Sequence, residues 1–290
     1  MGLEAAASHL AALARMGVPG SGIHIGGGEP FGDAERLLAI VRSARDAGLS
    51  GVGYVETGGF WATSENLVRR RLAALRDGGM RQLAISADPY HQEFIPPERV
   101  RLLFDVARDV LGPGGVRVRR WKWLQHPEDV AAMPEQQRAA IFTEFLRRYP
   151  ERMSGRAAER LAPLARRLPL QRLPDEGCRN ALLQSRHLHV DPDGWISPGT
   201  CAGIVLGRAT ADDPLDALLA AWRLSDSTRL TLLAGGGPGQ LLPEAERLGF
   251  AVDPAGYAGK CHLCWMLRSH LVRAGVAGSE FQPAGLYGPS

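Results

Sequence analysis

Apolar positions follow two rhythms in the first half of the chain. Leu3, Ala6, Leu10 and Leu13 recur at helical spacing, and short β-rich runs then alternate with longer helical ones. The run at 23–25 leads to a helix that Asp33 opens as N-cap and that stops near Gly48. The run at 52–56 passes through TGGFWAT to a helix capped by Ser64 and ended by Gly78 and Gly79. Residues 83–86 lead through ADPYHQEF to a helix opened by Pro96 and Pro97, which suit a first turn. A further strand covers 116–120 and ends in WKW. Strands alternating with helices at this interval predict parallel βαβ units, whose chemistry gathers at the C-terminal strand ends. GGGEP, ETGG, SADPYHQE and RRWKW fall there. The expected fold class is α/β, a barrel or part of one.

The second half has a different pattern. Residues 134–168 carry Arg and Leu at amphipathic spacing and are expected to be helical. HLHVDPDGWISPG then predicts a hairpin joined by a DPDG turn. Helices are expected near 214–223 and 242–248, and CHLC opens a last one to about residue 273. The break AGGGPGQ at 234–240 lacks the GK[ST] of a P-loop and is expected to be a plain loop. The predicted division gives a domain at 1–170 and a smaller one at 171–290.

Composition narrows the classes. With 290 residues, 45% of them hydrophobic, the chain can bury a large core, and a net charge of +3 gives no argument for a nucleic-acid partner. The run Arg69, Arg70, Arg71 lies in a helical pattern and is expected on a solvated face. No apolar run approaches the roughly 18 residues of a membrane span. The first stretch carries Glu4 and His9 without the basic leader of a signal peptide, so a cytoplasmic protein with reduced thiols is expected. Its four cysteines then point to metal before disulfides.

The motif GGGEP combines bare backbone with one acid. Gly27 and Gly28 let a ligand approach the main chain, and Pro30 biases Glu29 towards an extended conformation. Glu29 then presents acceptors suited to an ammonium group. The plainer alternative is a βα turn with an acid at a helix start. Asp88, His91 and Glu93 cluster after a strand end, where they could transfer protons, although Asp88 before Pro89 is also ordinary turn chemistry. Tyr54, Trp61, Trp121 and Trp123 either shape a pocket or pack the core.

The cysteines are Cys178, Cys201, Cys261 and Cys264. The last two have the knuckle spacing that lets both thiolates meet one metal. A four-cysteine zinc site fits that spacing, and Cys178 could instead be a buried, unligated thiol. His187, His189 and His262 are read as hydrogen-bonded structural histidines rather than ligands.

A strand running into GGGEP, followed by strand ends ETGG and SADP, resembles the radical S-adenosylmethionine (radical SAM) superfamily. The resemblance implies a partial (βα) barrel in which Gly27, Gly28 and Glu29 bind the amino group of SAM, with Pro30 completing the SAM-binding motif. Thr57, Ser86 and Asp88 would face the same molecule. The cysteine layout resembles the SPASM or twitch extension of those enzymes. It implies an auxiliary [4Fe–4S] cluster on Cys178, Cys201, Cys261 and Cys264. The implied reaction is reductive cleavage of SAM and hydrogen abstraction from a small-molecule or peptide substrate, with a ferredoxin or flavodoxin as electron donor. No nucleic-acid or membrane partner is implied.

The family's catalytic [4Fe–4S] needs a CxxxCxxC loop, and no cysteine precedes Cys178. The chain opens in what reads as the first helix, so an upstream segment carrying a strand and that loop is expected. Without it, the 23–25 strand would be an edge of the kind proteins usually protect. Two further classes stand beside this one: an inactive relic, and a non-enzymatic four-cysteine module holding zinc or iron–sulfur.

Overall fold

The computed structural model describes residues 1–126, 128–185 and 187–288. The chain forms two compact units, Met1–Ile141 and Phe142–Ser290.

The first unit is built on a parallel sheet of β1 (His24–Ile25), β2 (Val52–Thr57), β3 (Met80–Ser86) and β4 (Val116–Arg119), in that order. His24 pairs with Tyr54, Val55 with Leu83, and Ser86 with Arg119. α1 (Leu3–Arg15) precedes β1, and α2 (Ala34–Asp46), α3 (Glu65–Gly78), the short α4 (Pro89–Gln92) and α5 (Pro97–Leu111) run between the strands. α6 (Trp121–Gln125) and α7 (Glu135–Arg148) follow, and the division between the units falls within α7.

Local chemistry sets these boundaries. The Asp33 carboxylate accepts from the Arg36 amide at 3.0 Å, and the Ser64 hydroxyl from the Leu67 amide at 3.4 Å, so both expected caps form. α3 ends at Gly79 with φ +118°, a left-handed stop. Parallel strands laid down in sequence order, joined by right-handed crossovers, leave their helices on one face. Accordingly α1 packs on α2, α2 on α3, and α3 on α5. Val68, Leu72 and Leu75 of α3 and Val100, Leu103 and Val106 of α5 bury against Val52, Val55, Leu83 and Ile85.

The second unit holds α8 (Arg156–Arg160), α9 (Arg179–Leu183), α10 (Leu215–Ala221), α11 (Thr228–Gly236), α12 (Leu242–Arg247) and α13 (Lys260–Arg273). A small antiparallel sheet orders β5 (Leu188–Val190), β6 (Trp195–Pro198) and β7 (Gly207–Arg208). The DPDG turn forms as expected: the Asp191 carboxylate accepts from the amides of Asp193 and Trp195, both at 2.9 Å. Leu230, Leu233, Leu263, Leu267, Leu271 and Phe281 make the core.

Some expectations differ from what forms. The helix expected over 134–168 is broken between α7 and α8, where Pro150 offers no amide proton and Gly155 takes φ +57°. Part of the AGGGPGQ loop is helical, since α11 runs to Gly236 before Gly237 turns left-handed at φ +74°. The two compact units divide at 141/142, and Ala158 belongs to the second core. Among the described residues, no helix is long and apolar enough to cross a membrane.

Leu103 is fully buried and Leu3 is 45% exposed. Leu103→Ala should therefore cost about 2–5 kcal/mol in urea unfolding, and Leu3→Ala less than about 0.5 kcal/mol. Equal costs would contradict the packing described.

Candidate metal centre and strand-end site

The four cysteines come from three places in the second unit. Cys178 precedes α9, and its amide donates to the Leu233 carbonyl at 2.8 Å. Gly237 makes that approach possible, because a Cβ there would overlap the Glu176 carbonyl oxygen. The glycine-rich break thus seats the Cys178 segment against the end of α11. Cys201 follows the hairpin, and its amide donates to the Pro198 carbonyl at 3.1 Å. Cys261 and Cys264 lie in the first turns of α13.

Although up to 86 residues apart in sequence, the thiols share one neighbourhood: Cys178 feels the charge of Cys264, Cys201 and Cys261, and Cys201 that of Cys264 and Cys261. Burial first, then Cys264, pushes the Cys178 thiol up to about 11, with Lys260 opposing. Cys201 and Cys261 are also raised by burial, opposed foremost by Arg152. All four are free thiols. Among the described residues, no three of the sulfurs lie within 4.8 Å of one another.

Cations surround the cluster. The Arg152 guanidinium donates to the Cys201 sulfur at 3.7 Å. Lys260 lies 3.8 Å from the Glu176 carboxylate. Arg268, one turn after Cys264 on α13, is 2% exposed. It donates to the Ala202 carbonyl at 2.9 Å and to the Tyr287 hydroxyl, which in turn donates to the Gly203 carbonyl at 2.5 Å. The rings of Trp265, Tyr287 and Phe281 lie 5.4, 5.4 and 5.8 Å from its guanidinium carbon. Burial opposes its charge, yet Cys264, then Tyr287 and Cys201, hold its pKa above the usual value. Burial likewise pushes Tyr287 up to about 12, against the pull of Arg268.

His262 behaves as a structural group. The buried His262 accepts at Nδ1 from the Ala258 amide at 3.1 Å, and burial lowers its pKa. His187 and His189 share one strand face, with ring centroids 4.5 Å apart.

In the first unit, GGGEP lies where it was expected, at the end of β1. Gly27 and Gly28 take φ +77° and +54°, and a Cβ on either would meet nothing within 4 Å. Glu29 is extended at φ −133°, ψ 104°, and Pro30 starts a single 3-10 turn. The Glu29 carboxylate is engaged within the fold. It accepts from the Thr57 hydroxyl at 2.8 Å, the Gly58 amide at 2.9 Å and the Phe31 amide at 3.2 Å. Thr57 is buried at the end of β2, and its oxygen also accepts from the Gly59 amide and the Trp61 indole, both at 3.0 Å. Trp61 stacks on Phe31, with centroids 4.1 Å apart.

Beyond β3, Asp88 caps α4 and lies 2.7 Å from His91 Nδ1. A Cβ on Gly58 would meet His91 at 3.3 Å and Glu29 at 3.6 Å, so these groups adjoin one another. Ser86 closes β3 opposite Arg119. Glu93 instead faces Arg138 at 3.8 Å. Tyr54 stacks with His24, Trp121 is 41% exposed beside Phe104, and Trp123 donates to Gln92 at 2.7 Å.

No family model matches the chain, and no curated protein matches it.

Asp88 predicts an acid limb to stability. Burial opposes its charge, but the hydrogen bond and charge of His91, with Arg119 behind, hold its carboxyl below the usual range. A carboxylate with a depressed folded pKa stabilises the fold above its unfolded pKa, near 4, and loses that contribution as pH falls through the folded value. Asp88→Asn should thus lower stability at pH 7 and make it less pH-dependent below pH 4. Parallel acid limbs in denaturant titrations would contradict this.

Proposed function

We propose that this chain is a radical SAM-type iron–sulfur protein. Its second unit holds an auxiliary [4Fe–4S] cluster on Cys178, Cys201, Cys261 and Cys264, and its first unit supplies SAM-binding strand ends. The convergence of four distant thiols beside a buried guanidinium that no carboxylate among the described residues pairs with carries the reading. A metal centre removes the thiol protons on binding and leaves a tetrathiolate whose negative charge suits Arg152, Lys260 and Arg268. A lone tetrahedral zinc holds sulfurs at about 2.3 Å from one point, closer together than these lie. A four-iron cube spreads its ligands more widely, so the spacing favours iron–sulfur. When bound, the cluster supplies one-electron transfer, and full thiolate ligation leaves no open iron for substrate.

The first unit supports the SAM half through strand order. A sheet wound in sequence, with its helices on one face, is what a barrel fragment requires. Glu29 commits three hydrogen bonds to the fold, and a carboxylate has about four acceptor positions. One position and the open face of Gly27 and Gly28 stay available to an ammonium group. Asp88 fixes His91 at Nδ1, leaving Nε2 as the ring's other site for proton exchange. All four cysteines belong to the second-unit site, so this chain's residues do not supply a catalytic [4Fe–4S] and no SAM-cleavage step is assigned to them. The substrate class is a small molecule or peptide, and a ferredoxin or flavodoxin would deliver the electrons.

Anaerobic reconstitution with iron and sulfide should turn the protein brown, and Cys261→Ala or Cys264→Ala should abolish the colour. A colourless protein with stoichiometric zinc would overturn the cluster. For the first unit, Glu29→Gln should weaken SAM binding at least tenfold, about 1.4 kcal/mol by titration calorimetry. Unchanged affinity would return Glu29 to a purely structural role.

A further inference from the structure

Arg268 carries a fixed charge that no fixed negative charge among the described residues balances. Its side chain is 2% exposed, and its Nε has no hydrogen-bond partner. Among the described residues no carboxylate pairs with it. The acid next to Phe281, Glu280, is held by Arg229 at 3.4 Å, and Arg229 also has Glu244 at 2.6 Å. Apart from the thiols, its neighbours are a carbonyl, a phenol and three aromatic rings. Hydrogen bonds to neutral groups and ring faces offset only part of the cost of desolvating an ion. Buried charges are otherwise paired or placed beside metal centres.

Two of the groups whose charge acts on Arg268 are sulfurs, those of Cys264 and Cys201. Cys264 lies four residues before it on α13, the spacing that puts two side chains on one helix face. Cys201 is held from the other side, because Arg268 grips the Ala202 carbonyl immediately after it. Gly203 permits that closeness: a Cβ there would lie 3.1 Å from the Arg268 Nη1 and would overlap the Tyr287 oxygen. One guanidinium therefore ties the helix of Cys261 and Cys264 to the loop of Cys201. Of the other cations near the thiols, Arg152 is exposed and Lys260 already faces Glu176.

We infer that Arg268 is the built-in counter-ion of the cysteine site, a positioning residue that stabilises a bound, fully thiolate-ligated centre and favours its one-electron reduction. The inference rests on the preceding reading only in that the four cysteines hold one metal centre. Reduction adds one negative charge to the centre and breaks no bond, the electron coming from a low-potential one-electron donor, dithionite in the test. A fixed positive charge in a dry site stabilises the more negative state more strongly. Without the centre, the same charge meets no carboxylate among the described residues. Arg268 should thus contribute little to the apoprotein and much to the loaded one.

The test compares wild type, Arg268→Met and Arg268→Lys, each as apoprotein and after anaerobic reconstitution. The expected result is that Arg268→Met apoprotein melts within a few degrees of wild type, while its reconstituted form loses most of the added thermal stability. Its one-electron reduction should be at least tenfold less favourable, a shift of about 59 mV to more negative potential. Arg268→Lys should recover most of both effects. If Arg268→Met does not fold, or destabilises apo and loaded protein alike with an unchanged potential, Arg268 is structural and the inference falls while the cluster reading stands. If wild type takes up no iron, the cluster reading falls, and cobalt(II) binding decides the inference. A tenfold weaker cobalt(II) affinity in Arg268→Met supports it, and an equal affinity, or no binding by wild type, overturns it.

Discussion

A buried guanidinium that no carboxylate among the described residues pairs with organises the second unit. Desolvating an arginine costs several kcal/mol unless strong partners replace its water. Here the replacements are a carbonyl, a phenol, three rings and the sulfurs of Cys264 and Cys201. To keep those partners in reach, the loop after the hairpin must close on α13, Gly203 must be bare, and Tyr287 must fold back from the end of the chain. The same closure brings Cys201 to the CxxC. The cysteine site and the core around Trp265, Phe281 and Tyr287 are therefore one construction.

The first unit depends on a smaller knot. Glu29 at the end of β1 accepts from Thr57 and Gly58 at the end of β2, and Thr57 accepts from Trp61, which stacks on Phe31. Each link satisfies a polar group that burial would otherwise penalise. The knot holds two strand ends in register at the edge where β1 contributes only two residues. It also fixes the one acid of GGGEP in place, so a ligand would meet a preset carboxylate rather than a mobile one. The Asp88–His91 pair is set beside it through Gly58.

Much of this was legible because it is local. Caps such as Asp33 and Ser64, the DPDG turn and the proline-opened helix α5 each depend on a few adjacent residues, and alternation placed the four parallel strands. The CxxC marked the candidate metal site, and the extended Glu29 followed from Pro30. What escaped depends on contacts distant in sequence. Arg268 reads as a solvated helix position until the Ala202 loop and Tyr287 close over it, although its place one turn after Cys264 was a usable signal. Phe31 and Trp61 are separated by a whole βα unit, so their stack has no local signature. The 134–168 stretch misled because amphipathic spacing persists across Pro150 and Gly155, where the backbone cannot continue a helix.

One proposal is central, that four cysteines and Arg268 enclose a single four-iron centre. Native mass spectrometry of the protein purified without oxygen from iron-replete cells tests it most directly. The predicted spectrum shows one added mass of four iron and four sulfide per chain, absent once Cys178 is replaced by alanine. A wild-type spectrum with a single zinc ion, or with no added mass, would contradict it.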